Sequence, residues 1–316
     1  MNYDVLTTGY VSMDRIIKIN RSAQEGFTSL INNKNHTKIY YGGCSVNIAV
    51  ALSMLKKKAL PIIRVGDDYE SIGFKDFLLQ HDISLEGLTK IDGELTSSSY
   101  LIENPQGNHV TLFHPGAMDE KYSSYLNDHL FENAKLAVMT VGSMRDNQIF
   151  FEKCKKHHIP LVFGMKLDTN AFPIAFLIEV LKYATIVFSN DTEKDEIEQQ
   201  LDCRITDLFQ KGCAQVIVTT CGSKGSIWYQ KNDKGWSSGK LPAYSCQDIV
   251  DTTGSGDAYL SGFIYGYLSN YDIATCSGLG ATLASFVLES EGCCTNLPSQ
   301  EDLLERYKNY LTSCDF

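Results

Sequence analysis

Residues 251–257 read Asp-Thr-Thr-Gly-Ser-Gly-Asp and run straight into an apolar segment, where Ala258, Leu260, Phe263, Ile264 and Tyr267 recur at helical spacing. The small residues Gly254, Ser255 and Gly256 let successive backbone N–H groups converge where that helix begins. Such a point binds anions, helped by the positive end of the helix dipole. A carboxylate there, Asp257, would compete with the anion if it only capped the helix. It makes chemical sense if Asp257 takes the proton of an attacking hydroxyl while the amides steady a phosphoryl group. Helix capping is the structural alternative.

The elements that must position this cluster follow from periodicity. Val5–Gly9 reads as a short buried strand. From Ser45 onward Val46, Ile48, Ala49, Ala51, Leu52 and Leu55 have helical spacing, and residues 61–66 then form a strand before a helix around 72–80. Beyond residue 118, apolar strands at 136–141, 160–164, 184–189, 216–220 and 226–229 are mostly followed by helical patterns. This alternation predicts an α/β fold with a mostly parallel sheet flanked by helices on both faces. Two stretches break the alternation. Residues 15–41 are polar and β-branched, and 97–113 reads as a hairpin around Asn104-Pro105-Gln106-Gly107-Asn108. The division expected is a core of 1–14, 42–89 and 119–316, with 15–41 and 90–118 forming a small β-sheet lid. Ligands of open α/β sheets sit beyond the carboxyl ends of the strands. There the sequence places Asp14, Gly66-Asp67-Asp68, Asn190 with Glu193, Gly222 with Gly225 and, after Val250, the 251–257 cluster.

Asp-Thr-Thr-Gly-Ser-Gly-Asp-Ala at 251–258 closely resembles the C-terminal signature of the ribokinase-like (PfkB) carbohydrate kinases. Tyr41-Gly42-Gly43-Cys44-Ser45-Val46-Asn47-Ile48-Ala49 resembles their N-terminal signature, a Gly-Gly followed by Asn-x-Ala. The two lie about two hundred residues apart in the family's order, and the resemblance covers nearly the whole chain. It implies a ribokinase-like fold and an ATP-dependent kinase acting on an alcohol. In this reading Asp257 is the catalytic base and the amides of Gly254, Ser255 and Gly256 form the anion hole. Asp14, Gly42, Gly43 and Asn47 hold sugar hydroxyls. Asn190 and Glu193 match an N-x-x-E that organises magnesium through water. Thr220, Gly222 and Gly225 match a T-x-G-x-x-G loop along the nucleotide, joined by Thr253. Each has a bland alternative: a solvated turn acid at Asp14, a plain turn at Gly42-Gly43, a helix-capping pattern at Asn190–Glu193, and an ordinary β-turn at 220–225.

The acceptor is narrowed by three shorter strings. Leu112–Met118, Phe188–Glu193 and Val287–Gly292 resemble segments of bacterial adenosine kinases of this family. The lid aromatics Tyr100 and Phe113 could stack on a purine, or simply pack the lid. The expected activity is transfer of the ATP γ-phosphate to the 5′-hydroxyl of an adenosine-like nucleoside. The alternatives are a kinase of a free sugar (ribose, fructose or a keto-deoxy sugar acid) and a non-catalytic ligand-binding protein on the same fold. The resemblance brings ATP and Mg2+ as cofactors and leaves open potassium activation and a homodimer through the lid.

Composition sets the outer limits. At 316 residues, 43% hydrophobic and 21% charged, the chain can bury a core without staples. Its net charge of −10 argues against nucleic acid or an anionic membrane as partner. No apolar stretch approaches a membrane span. The N-terminus lacks a signal-peptide pattern, so the ten cysteines, without metal-ligand spacing, are expected as reduced thiols in a cytoplasm. His157-His158 is expected to be solvated. A P-loop is excluded because Gly235–Leu241 has the wrong spacing and ends in leucine, and no G-x-G-x-x-G follows the first strand.

Overall fold

The computed structural model describes residues 2–164, 166, 168–246 and 248–313. In chain order the elements are β1 (Val5–Thr8), β2 (Ser12–Lys18), β3 (Tyr40–Gly42), α1 (Cys44–Met54), β4 (Ala59–Val65), α2 (Phe74–Gln80), β5 (Leu88–Lys90), β6 (Ser98–Glu103) and β7 (His109–His114). Then come β8 (Leu136–Met139), α3 (Met144–Lys156), β9 (Leu161–Gly164), α4 (Ile174–Tyr183), β10 (Ile186–Asn190), α5 (Asp191–Leu201), α6 (Leu208–Lys211) and β11 (Val216–Thr220). The chain closes with β12 (Ser226–Asn232), β13 (Gly235–Leu241), α7 (Ser255–Leu268), α8 (Ile273–Leu288) and α9 (Gln300–Ser313).

Nine strands form one sheet in the order β13-β12-β11-β10-β9-β8-β1-β4-β5. The pairs from β11 to β5 are parallel, and β12 and β13 add an antiparallel edge. Its inner strands β1, β4, β8, β9, β10 and β11 are buried on both faces, which requires near-continuous apolar runs, whereas the edge strands β5 and β13 are exposed. Alternate residues serve opposite cores. Val5, Ile186, Phe188, Val216 and Val218 pack with α1, α7 and α8. Leu6, Val187 and Ile217 pack with Phe150 and Phe151 of α3 and Phe176 of α4. The doubly covered sheet predicted from alternation is therefore present.

The second sheet has the order β3-β2-β6-β7, with β2 parallel to β6 and the other pairs antiparallel. Pairing shifts the boundaries expected for the lid. Ser12–Asp14 and Gly42 belong to its strands, whereas β5, up to Lys90, pairs with β4 in the large sheet. Residues 20–39 form turns, with one isolated bridge between Ile19 and Ile31. Two further expectations are corrected. The strand expected to end at Val250 is absent: the described residues between Leu241, the end of β13, and the 251–257 cluster form none. Ile249 and Val250 there are 62% and 52% exposed, so apolarity reflected no burial. His157 is not solvated: it bonds Asp128 at 2.9 Å beside Lys153 and Lys156. The nine described cysteines are free thiols, and Cys314 lies outside the described residues. No described helix is long and apolar enough to cross a membrane.

The lid returns to the core under a buried ion pair. Arg64 on β4 meets the Asp146 carboxylate through both terminal nitrogens, one of them at 2.7 Å. Its Nε donates to the Ala117 carbonyl at 2.7 Å and its other arm to that of Asp119 at 3.2 Å. These carbonyls flank the turn that follows β7. Breaking a buried pair strands its partner, so Arg64→Ala should cost about 3–5 kcal/mol of unfolding free energy by urea titration. Arg64→Met with Asp146→Leu should cost markedly less; equal costs would mean that the stranded charge is not the cause.

Candidate active site

Asp257 is the third residue of α7, whose N-cap Gly254 adopts φ +77°. A side chain there would be strained by that conformation, and its Cβ would lie 2.5 Å from Cys293 Sγ. The preceding turn is fixed by Asp251, which accepts from the N–H of Thr253 at 2.9 Å and of Gly292 at 3.2 Å. The first N–H groups of a helix have no intrahelical acceptor. Among the described residues those of Gly254 and Gly256 donate to no protein group, whereas that of Ser255 reaches the Thr252 carbonyl at 3.3 Å. The three-amide anion hole read from the sequence therefore has one member already engaged.

Asn47 of α1 donates from Nδ2 to Asp257 Oδ2 at 2.8 Å. Its Oδ1 accepts from the Cys294 thiol at 3.5 Å. Burial pushes the Asp257 carboxyl above the usual carboxylate range, opposed by the Asn47 hydrogen bond, the Lys166 charge and Cys44. Asp14 behaves alike. It sits on β2, bonded by Ser12, which is 2.7 Å from Ser99, and burial raises its carboxyl against those hydroxyls and Lys166.

Two adjoining chambers surround these groups. One, of about 390 Å³, is lined by Asp14, Gly43, Asn47, Phe113, Thr253, Gly254 and Asp257, with Tyr10, Ser99, Leu101, Thr111, Val141 and Asp168. The other, of about 460 Å³, is lined by Asn190, Glu193, Thr220, Gly222 and residues 254–257. The sequence-selected residues thus converge on one cleft at the carboxyl ends of the strands, with four departures. Thr253 lines the first chamber, not the one beside the 220–225 loop. Gly42 lines neither; a Cβ on it would press within 2.9 Å of Asn47 Oδ1, so its smallness lets Asn47 and Asp14 approach. Gly225 shapes the turn between β11 and β12: φ is +91° and a Cβ would meet the Leu241 carbonyl at 1.9 Å. Tyr100 points away. Side chains alternate along β6, so Ser99 and Leu101 face the chamber while Tyr100 lies outside it, 38% exposed under the Arg15 guanidinium. Phe113, opposite Ser99, does face the chamber and packs on Tyr10 at 4.8 Å.

Asn190 and Glu193 form the capping box that was the structural alternative. The Asn190 side chain accepts from Glu193 N at 2.8 Å, and Glu193 Oε2 from Asn190 N at 2.7 Å. Both still line the larger chamber. Among the described residues no group of three His, Cys, Asp or Glu could hold a metal. Sequence reasoning passed over Lys166, which lines both chambers. Its signal was its place two residues past the carboxyl end of β9, on the side of the sheet where such folds bind ligands.

Comparison with known proteins places the site in context. The model of the pfkB family of carbohydrate kinases matches residues 3–300. A nucleoside kinase from Methanocaldococcus jannaschii is 27% identical, over 97% of each chain. Its crystal structure superposes with a TM-score of 0.88 at 26% identity, covering 98% of this chain and 99% of that one. The Burkholderia thailandensis nucleoside kinase in complex with inosine gives a TM-score of 0.85 at 21% identity, covering 98% and 99%.

The raised Asp257 carboxyl has a thermodynamic consequence. Its ionised form is disfavoured by folding, so this group costs stability above its folded pKa and nothing below the unfolded one. Asp257→Asn should melt no lower than wild type at neutral pH, with any gain shrinking as pH falls through the raised pKa. A lower melting temperature at neutral pH would contradict that sign.

Proposed function

The chain belongs to the pfkB family of carbohydrate kinases, and from that membership we propose that it transfers the γ-phosphoryl group of ATP to the 5′-hydroxyl of an adenosine-like nucleoside. The observation that carries the choice of acceptor is the mixed wall of the smaller chamber. Asp14, Asn47 and Asp257 offer polar groups to a ribose, while Tyr10, Leu101, Phe113 and Val141 offer an apolar surface that suits a base and that a free sugar would leave bare. The nucleoside kinases of Methanocaldococcus jannaschii and Methanothermobacter thermautotrophicus, 27% and 25% identical over nearly the whole chain, support this reading.

In this proposal Asp14 and Asn47 orient the ribose so that its hydroxyl faces Asp257, which accepts the proton as oxygen attacks phosphorus. Asn47 fixes the carboxylate through the oxygen it does not leave free. The open N–H groups of Gly254 and Gly256 hold the transferring group at the N-terminus of α7. ATP lies in the larger chamber along Thr220 and Gly222. The oxygen donors at Asn190 and Glu193 are too few to cage a metal and suit a magnesium ion kept largely in water and phosphate, with Glu193 reaching it through water. When bound, that ion neutralises phosphate charge. The exposed outer lid residues Tyr100, Val110 and Leu112 support pairing with a second copy of the chain.

A panel of adenosine, inosine, guanosine, cytidine, ribose and fructose with ATP and Mg2+, with K+ added or omitted, tests the reading by ADP release. A nucleoside should exceed both sugars in kcat/KM by about a hundredfold. Preference for ribose or fructose would establish a sugar kinase, and nucleoside binding without ADP would establish a binding protein. Asp257→Asn should lower kcat by ~10²–10⁴-fold; a variant within threefold of wild type would remove the base role. A Cβ on Gly256 meets nothing within 4 Å. Gly256→Val should therefore keep the melting temperature yet lower kcat/KM for ATP about a hundredfold by blocking the anion site. Unchanged ATP use would move the phosphate elsewhere.

A further inference from the structure

The two chambers meet at a wall made by Cys44, Val141, Lys166, Gly254 and Asp257, each of which lines both. Two of these are charged, with opposite signs. Among the described lining residues Lys166 is the sole cation of either chamber; the other charged ones are acids, Asp14 and Asp168 on one side, Asp191 and Glu193 on the other, and Asp257 between. A triphosphate entering this surround meets carboxylates in both chambers, and the partial charge at the start of α7 is only about half a unit. A mobile full positive charge at the junction answers that deficit.

We propose that Lys166 is a catalytic residue whose ammonium contacts the γ-phosphoryl group as it crosses between the chambers. This rests on the kinase reading of the same site. In the step, the acceptor O–H proton passes to the Asp257 carboxylate and the oxygen–phosphorus bond forms. The bond from γ-phosphorus to the β,γ-bridging oxygen breaks, its electron pair leaving on ADP. Lys166 keeps its proton and donates N–H to non-bridging oxygens throughout. Its placement follows from the fold. Gly164, the last residue of β9, abuts the first turns of α7, where a Cβ would come within 2.9 Å of Leu260 Cδ1. Lys166 stands two residues further on. Among the described residues it has no ion-pair partner, and beside the neutral Cys44 thiol the Asp257 and Glu193 carboxylates favour its charged form against desolvation. The side chain lines the cleft and belongs to neither hydrophobic core, so removing its charge should leave the fold intact.

Lys166→Met and Lys166→Arg decide the matter, with melting temperature as the check on folding. Steady-state kinetics should give a loss in kcat of about a hundredfold or more for the methionine variant, with the arginine variant recovering at least tenfold of it. Calorimetry should find nucleoside affinity within threefold of wild type in both variants and weaker binding of a non-hydrolysable ATP analogue to Lys166→Met. A methionine variant within threefold of an active wild type overturns the role of Lys166 and leaves the kinase reading standing, as does an arginine variant no better than methionine. Wild type that transfers phosphate to no nucleoside or sugar overturns the kinase reading itself, and this inference with it.

Discussion

One hydrogen bond, from Asn47 to Asp257, joins the starts of two helices 210 residues apart in sequence. Each helix begins on a glycine whose positive φ and close neighbours would strain any side chain. Gly43, before α1, has φ +90° and would drive a Cβ within 2.2 Å of the Tyr10 carbonyl; Gly254, before α7, stands against Cys293. These contacts bring the helix ends close enough for a short amide and a short carboxylate to meet. The bond leaves one carboxylate oxygen available and holds it between the chambers. Burial at this junction raises the proton affinity of Asp257, and the Asn47 bond opposes it.

The lid is part of the site as well as its cover. Asp14 lies on β2, in register with Ser99 and, one strand further, Phe113, so one row of the lid sheet supplies both a carboxylate and an aromatic face. The lid is tied to the core at two ends. Arg64 grips the turn after β7. Glu291 accepts from Tyr40 at 2.9 Å and pairs with Lys18 at 2.9 Å, and it adjoins the segment whose Cys293 packs on Gly254. Lid position and the geometry of the α7 turn therefore share a link.

What could be read from the sequence was what short segments encode by themselves. The Gly-Ser-Gly-Asp turn, the Gly-Gly before α1 and the capping pattern at Asn190–Glu193 carry their geometry locally, and alternating apolar runs disclosed the doubly covered sheet. The rest depends on register and distant packing. Tyr100 and Ser99 differ by one position, and only pairing with β2 and β7 decides which faces the chamber. Gly235–Leu241 lacks an apolar alternation because it is an exposed edge, so its strand character comes from its partner β12. Lys166 belongs to no motif; its position is set by where β9 ends relative to α7. Val250 misled because an exposed loop can carry apolar side chains.

The parallel pairing of β2 with β6 has a consequence for the order in which the molecule assembles. A parallel pair cannot close through a tight turn, and here residues 19–97, which include α1, β4, α2 and β5, lie between the two strands. Closing so long a loop is entropically costly until intervening contacts offset it. The carboxylate on β2 therefore takes its place beside Ser99 only once residues 19–97, with α1, β4, α2 and β5, have folded back and brought β6 alongside.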